Sequence, residues 1–228
     1  MAIIHNTTMS PSKLDLLAAW LPAQPWYRPT GQEPDLTRAG GFRLDDPQGE
    51  VGIEFMVVTD GSGGQATAYQ IPMTYRAGPL ADADGALIGT SEHGVLGRRW
   101  LYDGVHDPVL RDQLVALIQG EAQAQAQSVS NTADPTVISQ PAAAGSLTPV
   151  RPDVAANGPS GTDLRVRTAR ADDGQPAELI LRINRILQPS NGINDHRETG
   201  SPCLSASWRM PDGPRVRGVF VTARYSPA

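Results

Sequence analysis

One arginine interrupts an apolar run, and a glutamate follows it beyond a loop. Residues 178–187 read ELILRINRIL, with Arg182 in the middle, and the next residues are rich in Pro, Ser, Asn and Gly before the chain reaches Glu198. A cation on a strand and a carboxylate that follows it can form the ion pair that holds the phosphates of a nucleotide. Three interpretations are open: a nucleotide site, the remains of one, or a strand and a turn.

The other reactive groups form no recognisable site. The four histidines lack the His-x-x-x-His spacing of a metal site. We interpret Asp103 as the end of a strand and Asp107 as the cap of a helix, which are ordinary structural roles. Cys203 is the single cysteine, so an internal disulfide is excluded and a cysteine-based metal site is disfavoured. We predict no catalytic residue and no metal ligand.

The charge of the chain is unevenly spread. Its net charge is −5, with 15 acids and 8 bases in residues 1–126 but 6 acids and 10 arginines in residues 164–228. The acidic total gives no reason to expect binding to nucleic acid or to an anionic membrane. The N-terminus lacks the pattern of a signal peptide, and no apolar run approaches the roughly 20 residues of a membrane helix. We therefore expect a cytoplasmic protein.

The first half of the chain predicts a β-rich unit with two helices. Residues 10–22 predict a short helix with Ser10 as its cap and Pro11 in its first turn. Residues 42–76 predict three strands joined by two turns, and residues 94–104 predict another strand. The second helix begins at Asp107 and has an amphipathic pattern.

The second half predicts a linker and a small sheet. Residues 128–160 contain little but Ser, Thr, Ala, Pro, Gly, Asn and Gln, which is typical of a flexible linker. Residues 161–228 then predict four strands in two antiparallel hairpins. So small a sheet buries one face poorly. We expect it to be stabilised by packing against the first unit, against another copy of the chain or against a partner.

Two segments of the first half resemble the N-terminal cap domain of maltokinases. Residues 21–27 read LPAQPWY, which is similar to the family's Leu-Pro-x-Gln-Arg-Trp-Phe segment, although Pro25 replaces the arginine. Residues 69–73 read YQIPM, which resembles the family's Tyr-x-x-Pro-Leu. The resemblance implies a cap domain over residues 1–127.

The second half resembles the N-lobe of a maltokinase. Its LRINRILQPSNGINDHRE is similar to the family's strand and loop, and the resemblance implies that Arg182 stands where the phosphate-binding lysine belongs and Glu198 where its partner belongs. Residues 160–163, SGTD, resemble the phosphate loop. The implied nucleotide-binding candidates are Arg182, Glu198, Ser160 and Arg185, and ATP is the only cofactor that they suggest.

The chain also departs from this family. The guanidinium of arginine is broad and planar, whereas the ammonium of lysine is compact. An arginine at the lysine position would therefore shift the phosphates. Pro202 comes soon after Glu198, so the helix that should carry this glutamate is broken. No catalytic loop and no magnesium-binding aspartate follow Tyr225. We expect no phosphoryl transfer.

These observations lead to an expected α+β fold: a β-rich cap with two helices (1–127), a flexible linker (128–160) and an antiparallel sheet resembling a truncated kinase N-lobe (161–228). The leading hypothesis is a non-catalytic interaction or regulatory module linked to α-glucan, maltose or trehalose metabolism, with a protein partner or self-association. The alternatives are a vestigial ATP or sugar-phosphate site, one half of a split sugar kinase, and a malto-oligosaccharide-binding module that uses Trp20, Trp26, Tyr27, Trp100 and Tyr102.

Overall fold

A computed structural model describes residues 8–129, 131–140, 147–170, 176–190, 202–211 and 213–227. Within these residues there are two α-helices, α1 (Lys13–Trp20) and α2 (Pro108–Gln119). The strands are β1 (Met9–Ser10), β2 (Leu36–Leu44), β3 (Gly52–Asp60), β4 (Thr67–Arg76), β5 (Leu87–His93), β6 (Gly97–Asp103), β7 (Gln125–Ala126), β8 (Ile138–Gln140), β9 (Leu147–Asn157), β10 (Gly161–Arg170), β11 (Pro176–Asn184), β12 (Ile186–Leu187), β13 (Cys203–Arg209) and β14 (Arg215–Pro227). The fold is α+β, as the sequence predicts.

One antiparallel sheet runs through the molecule in the order β1-β5-β6-β4-β3-β2-β13-β14-β11-β10-β9, and β7, β8 and β12 pair with β2, β13 and β4. The first six strands of this order come from the first half of the chain. Along this order they meet the second half where Gly40 of β2 pairs with Trp208 of β13, and off this path β12 pairs with β4. The register of β2 shifts here, and Gly41 has a φ of +128°, while an added Cβ at Gly41 would overlap the carbonyl oxygen of Phe55. Glycine is therefore required at this junction.

Alternate residues of β3 enter different cores, as expected for a strand covered on both faces. Phe55 and Val57 belong to the larger core, and Met56 and Val58 to the smaller one. The larger core also contains the buried apolar residues of α2 and of β10, β11, β13 and β14. The part of this sheet formed by β9, β10, β11, β13 and β14, which we call the second sheet, therefore packs against the first unit, one of the three supports expected from the sequence.

Helix α1 begins two residues later than the sequence predicts. Ser12 is its N-cap: its hydroxyl accepts a hydrogen bond from Asp15 N at 3.2 Å, and the Asp15 carboxylate accepts one from Ser12 N at 2.9 Å. Ser10 instead pairs with Glu92 in β5. The predicted cap at Ser10 is wrong because only Ser12 has an acidic residue three positions later to complete a capping box.

Helix α2 begins at its predicted cap. Asp107 Oδ1 accepts a hydrogen bond from Val109 N at 2.9 Å, and Gly120 ends the helix in the left-handed conformation. The Asp107 carboxylate also accepts two hydrogen bonds from Arg76, both at 2.7 Å, so it ties α2 to β4. Among the described residues, no helix is long and apolar enough to cross a membrane.

The segment predicted as a linker contains β8 and β9 within its described part. Strand β9 pairs with β10, and β8 pairs with β13. Backbone hydrogen bonds to a neighbouring strand can hold a chain that has few apolar side chains to bury. The predicted boundaries at 127 and 160 stay a prediction. Residues 191–201, which include most of the loop expected between the two hairpins, lie outside the described residues.

Candidate functional site

The turn between β9 and β10 lies against Arg182, which is on β11. Arg182 Nη2 donates a hydrogen bond to Ser160 Oγ at 3.2 Å. An added Cβ at Gly161 would lie 2.8 Å from Arg182 Nε, so the absence of a side chain at Gly161 leaves room for the guanidinium. The structure therefore brings together two of the four predicted nucleotide-binding residues, Ser160 and Arg182.

Arg182 already has an anionic partner. Asp163 lies directly opposite it in the β10–β11 register, and Arg182 Nη1 is 3.0 Å from Asp163 Oδ1. The two side chains are 32% and 34% exposed, so water reaches the pair. The sequence analysis did not single out Asp163. Glu198, the carboxylate predicted to pair with Arg182, lies outside the described residues.

Arg185 lies three residues beyond Arg182 but in a different environment. Its side chain is fully buried, and Nη2 donates to both carboxylate oxygens of Asp103, at 2.8 and 2.7 Å. Its guanidinium carbon lies 5.0 Å from the centre of the Trp26 ring, within the range of a cation–π interaction. The buried Arg185 thus joins the second sheet to β6 and to the loop after α1. Its predicted contact with a nucleotide stays a prediction.

The buried arginine is also connected to the β9–β10 turn. Arg185 Nε donates to Thr162 Oγ1 at 2.8 Å, and Thr162 Oγ1 donates to Asn157 Oδ1 at 2.6 Å. The backbone N–H of Arg185 donates to the carbonyl oxygen of Ser160 at 3.1 Å. A continuous set of hydrogen bonds therefore links Asp103, in the first half of the chain, to the turn that contacts Arg182.

Gln70 makes a second connection between the two halves. This fully buried residue of β4 donates through Nε2 to the carbonyl oxygens of Asn184 and Phe220, both at 3.1 Å. Its backbone N–H donates to the carbonyl oxygen of Arg185 at 2.9 Å. The next element, β12, then pairs with Tyr69 and Ala68 of β4. These bonds satisfy backbone groups that would otherwise be buried without partners.

His106 is the titratable side chain next to this junction. Burial lowers the pKa of His106 below its ordinary value of 6.5, the Asp103 carboxylate opposes this change, and the positive charges of Arg185 and Arg111 reinforce it. The imidazole is therefore neutral at neutral pH. Protonation would bring another positive charge close to the buried Arg185.

The first half contains a separate buried polar cluster around Glu54. The Glu54 carboxylate accepts hydrogen bonds from Lys13 Nζ and Gln127 Nε2, both at 2.6 Å, and a very short one from the Tyr75 hydroxyl. Burial opposes ionisation of Glu54, but Lys13 and Tyr75 hold its pKa below 4.5. These three hydrogen bonds connect α1 and the end of the first half to β3 and β4 of the sheet.

The aromatic residues that could stack on sugar rings have mainly structural positions. Trp26, Tyr27 and Tyr102 are 0%, 8% and 1% exposed, and Trp20 and Trp100 are partly buried. Trp26 packs on Tyr69 and under Arg185. Their predominant use in the core agrees with the usual role of aromatic residues on strands and helices.

The contacts of Asp103 and Gln70 could not be read from the sequence. Asp103 ends a strand in the sequence analysis and does so in the structure, but its partner Arg185 is 82 positions away. Gln70 stands in an apolar strand, and this pattern is a signal that a polar residue is buried and must be satisfied.

Residues 20–107 match the family model of the maltokinase N-terminal cap domain. The predicted resemblance of the first half is confirmed over this range. The match contains β2 to β6, Gln70 and Asp103, and it ends before α2. A search of curated proteins finds no match to the chain.

Proposed function

We propose, from the cap-domain match of residues 20–107, that this maltokinase-related chain is a non-catalytic interaction or regulatory module of α-glucan, maltose or trehalose metabolism. One observation carries the proposal. Arg182, which the resemblance puts in place of the phosphate-binding lysine, forms an ion pair with Asp163 on the neighbouring strand.

This ion pair is unfavourable for phosphoryl transfer. A kinase uses its strand-borne lysine to hold phosphates, and a glutamate from a helix orients that lysine. Asp163 instead lies on the strand beside Arg182, at the turn where phosphates would enter, and its carboxylate repels them. The guanidinium also presents its charge over a wider plane than an ammonium does.

The junction between the two halves supports a role in recognition. The buried Arg185–Asp103 pair, the side chain of Gln70 and the shared apolar core join the cap to the second sheet. These contacts fix the positions of the two halves relative to each other. A surface that is already fixed loses less conformational entropy when it binds a partner.

A phosphoryl-transfer assay tests the proposal. The purified chain is incubated with Mg-ATP and with maltose, glucosamine or trehalose, and formation of sugar phosphate is measured. We expect no sugar-dependent product, and product that forms in proportion to the concentration of the chain would refute a non-catalytic role. A partner recovered from the native organism that binds the purified chain and acts on α-glucans would support the metabolic assignment.

A second candidate function is the binding of ATP or a sugar phosphate at the β9–β10 turn. The observation that favours it is the approach of Ser160 and Arg182 to each other beside Gly161. Under this alternative, Asp163→Asn would strengthen binding because it removes the competing charge, and Arg182→Gln would weaken it. Isothermal titration calorimetry of both variants with ATP, ADP and a hexose phosphate would measure this order of affinities. No heat with any of the three proteins would exclude the alternative.

A further inference from the structure

Four arginines share one face of the second sheet, which we call the arginine face: Arg165, Arg167, Arg182 and Arg224. Arg165 pairs with Ile180 of β11, and Ile180 pairs with Arg224 of β14, so these three residues form one row across three strands. Arg167 lies two positions along β10 from Arg165, and Arg182 lies two positions along β11 from Ile180. Because side chains alternate along a strand, all four belong to the same face.

The arginine face carries more positive charge than its acids neutralise. Arg165, Arg167 and Arg224 are exposed. Glu178 lies 3.7 Å from Arg165, and Asp163 pairs with Arg182. Within the described part of the chain, no ion pair involves Arg167 or Arg224. Among the side chains of this face that the structure describes, two acids therefore stand against four arginines.

The distance between alternate arginines of the arginine face is similar to the distance between alternate side chains of an extended polypeptide. Arg165 and Arg167 are separated by two residues of a strand, which is roughly 7 Å, and Arg165 and Arg224 by two strand spacings, which is roughly 10 Å. Carboxylates on alternate residues of an extended chain have the same spacing of roughly 7 Å. Each guanidinium can bind a carboxylate through two parallel hydrogen bonds.

We propose that the arginine face binds an extended acidic segment of a partner protein. This inference names the partner class of the interaction module proposed above and rests on that proposal. Nucleic acid is a poorer fit because the chain has a net charge of −5 and its first half is acidic, which repels a phosphate backbone beyond these few contacts.

A peptide-binding experiment tests the proposal. Fluorescence anisotropy measures binding of the whole chain to a labelled peptide in which Glu alternates with Thr, and a peptide with Gln in place of Glu serves as the control. The double variant Arg165→Glu/Arg167→Glu should bind the acidic peptide at least about tenfold more weakly, because two attractive contacts become repulsive. Arg98→Glu is a single charge reversal at a distant site, since Arg98 is 61% exposed and lies in β6, far along the sheet from β10.

Each outcome decides the proposal. Binding that is specific for Glu, weakens with salt, is lost in the double variant and survives in Arg98→Glu would support it. Equal binding of both peptides, no binding, or an equal loss in Arg98→Glu would overturn it. Tighter binding to duplex DNA, or self-association of the chain through this face in sedimentation, would also overturn it. Circular dichroism of each variant confirms folding, and a failure here leaves the phosphoryl-transfer test of the proposed function unaffected.

Discussion

At the scale of single residues, the chain uses its arginines in two ways that the sequence does not distinguish. Arg182 and Arg185 are three positions apart, yet the side chain of Arg182 is partly exposed beside the β9–β10 turn and that of Arg185 is fully buried. Because an odd number of positions separates them, side-chain alternation turns the two arginines to opposite sides, and the side that Arg185 faces is occupied by Asp103 and Trp26. A buried arginine must be paired, and Asp103 supplies that partner.

The first prediction concerns this buried pair. Asp103→Ala should lower the free energy of unfolding by about 3–5 kcal/mol, because it leaves the Arg185 charge buried without its carboxylate. Urea unfolding, followed by tryptophan fluorescence, measures the change.

The matched control is the exposed pair of Glu92 and Arg98, whose side chains are 59% and 61% exposed. Glu92→Ala should cost about 1 kcal/mol or less because water screens an exposed pair. An Asp103→Ala variant no less stable than Glu92→Ala would show that the buried pair does not hold the two halves together.

At the scale of secondary structure, local patterns predict most elements and miss strands that lack an alternating apolar pattern or pair with a distant segment. The cap of α2 at Asp107 is confirmed because the signal lies within three residues. Strand β5 was not predicted, and β8 and β9 lie in a segment predicted as a linker. Of these three strands, β8 has a distant partner, β13. Strands β5 and β9 form hairpins with the next strands, β6 and β10, and they are missed because residues 87–93 and 147–157 lack an alternating apolar pattern.

The candidate site, too, can be predicted from the sequence only in part. The resemblance placed Ser160 and Arg182 at one site, and the structure brings them into contact. It did not indicate Asp163, because a carboxylate opposite an arginine depends on the register of β10 and β11. Register is set by the turn and by the buried face of the whole hairpin, so it could not be assigned residue by residue.

The second prediction tests where α1 begins. Ser12→Ala should lower the free energy of unfolding by about 1 kcal/mol, because it removes an N-cap hydrogen bond. Ser10→Ala is the control, and it should cost less because Ser10 contributes no cap. Chemical denaturation of both variants measures the difference. A larger loss in Ser10→Ala would restore the cap position that the sequence predicts.

At the scale of the whole molecule, the two halves form one structure through a shared core and a polar junction. The stability of this junction should depend on pH through His106. The pKa of His106 in the folded protein is below 6.5, so the unfolded chain binds its proton more readily. The contribution of neutral His106 is therefore fully present above pH 6.5 and is lost as the pH falls through the folded-state pKa.

The third prediction follows from this sign. The free energy of unfolding should decrease as the pH is lowered from above 6.5, and His106→Gln should remove part of that decrease. Urea titrations across this range measure it for both proteins. Identical pH profiles for the natural chain and His106→Gln would show that the junction does not respond to this group. Protonation of Glu54 would also lower the stability, but only at lower pH, because the pKa of Glu54 is below 4.5.

The measurement that tests the central claim most directly is phosphoryl transfer from Mg-ATP to a sugar, followed for the natural chain and for Arg182→Ala. We predict that neither protein forms a sugar phosphate above the blank, since Arg182 is held by Asp163 and not oriented toward a nucleotide. Sugar phosphate formed by the natural chain and lost in Arg182→Ala would contradict a non-catalytic module, because Arg182 would then act on the phosphates.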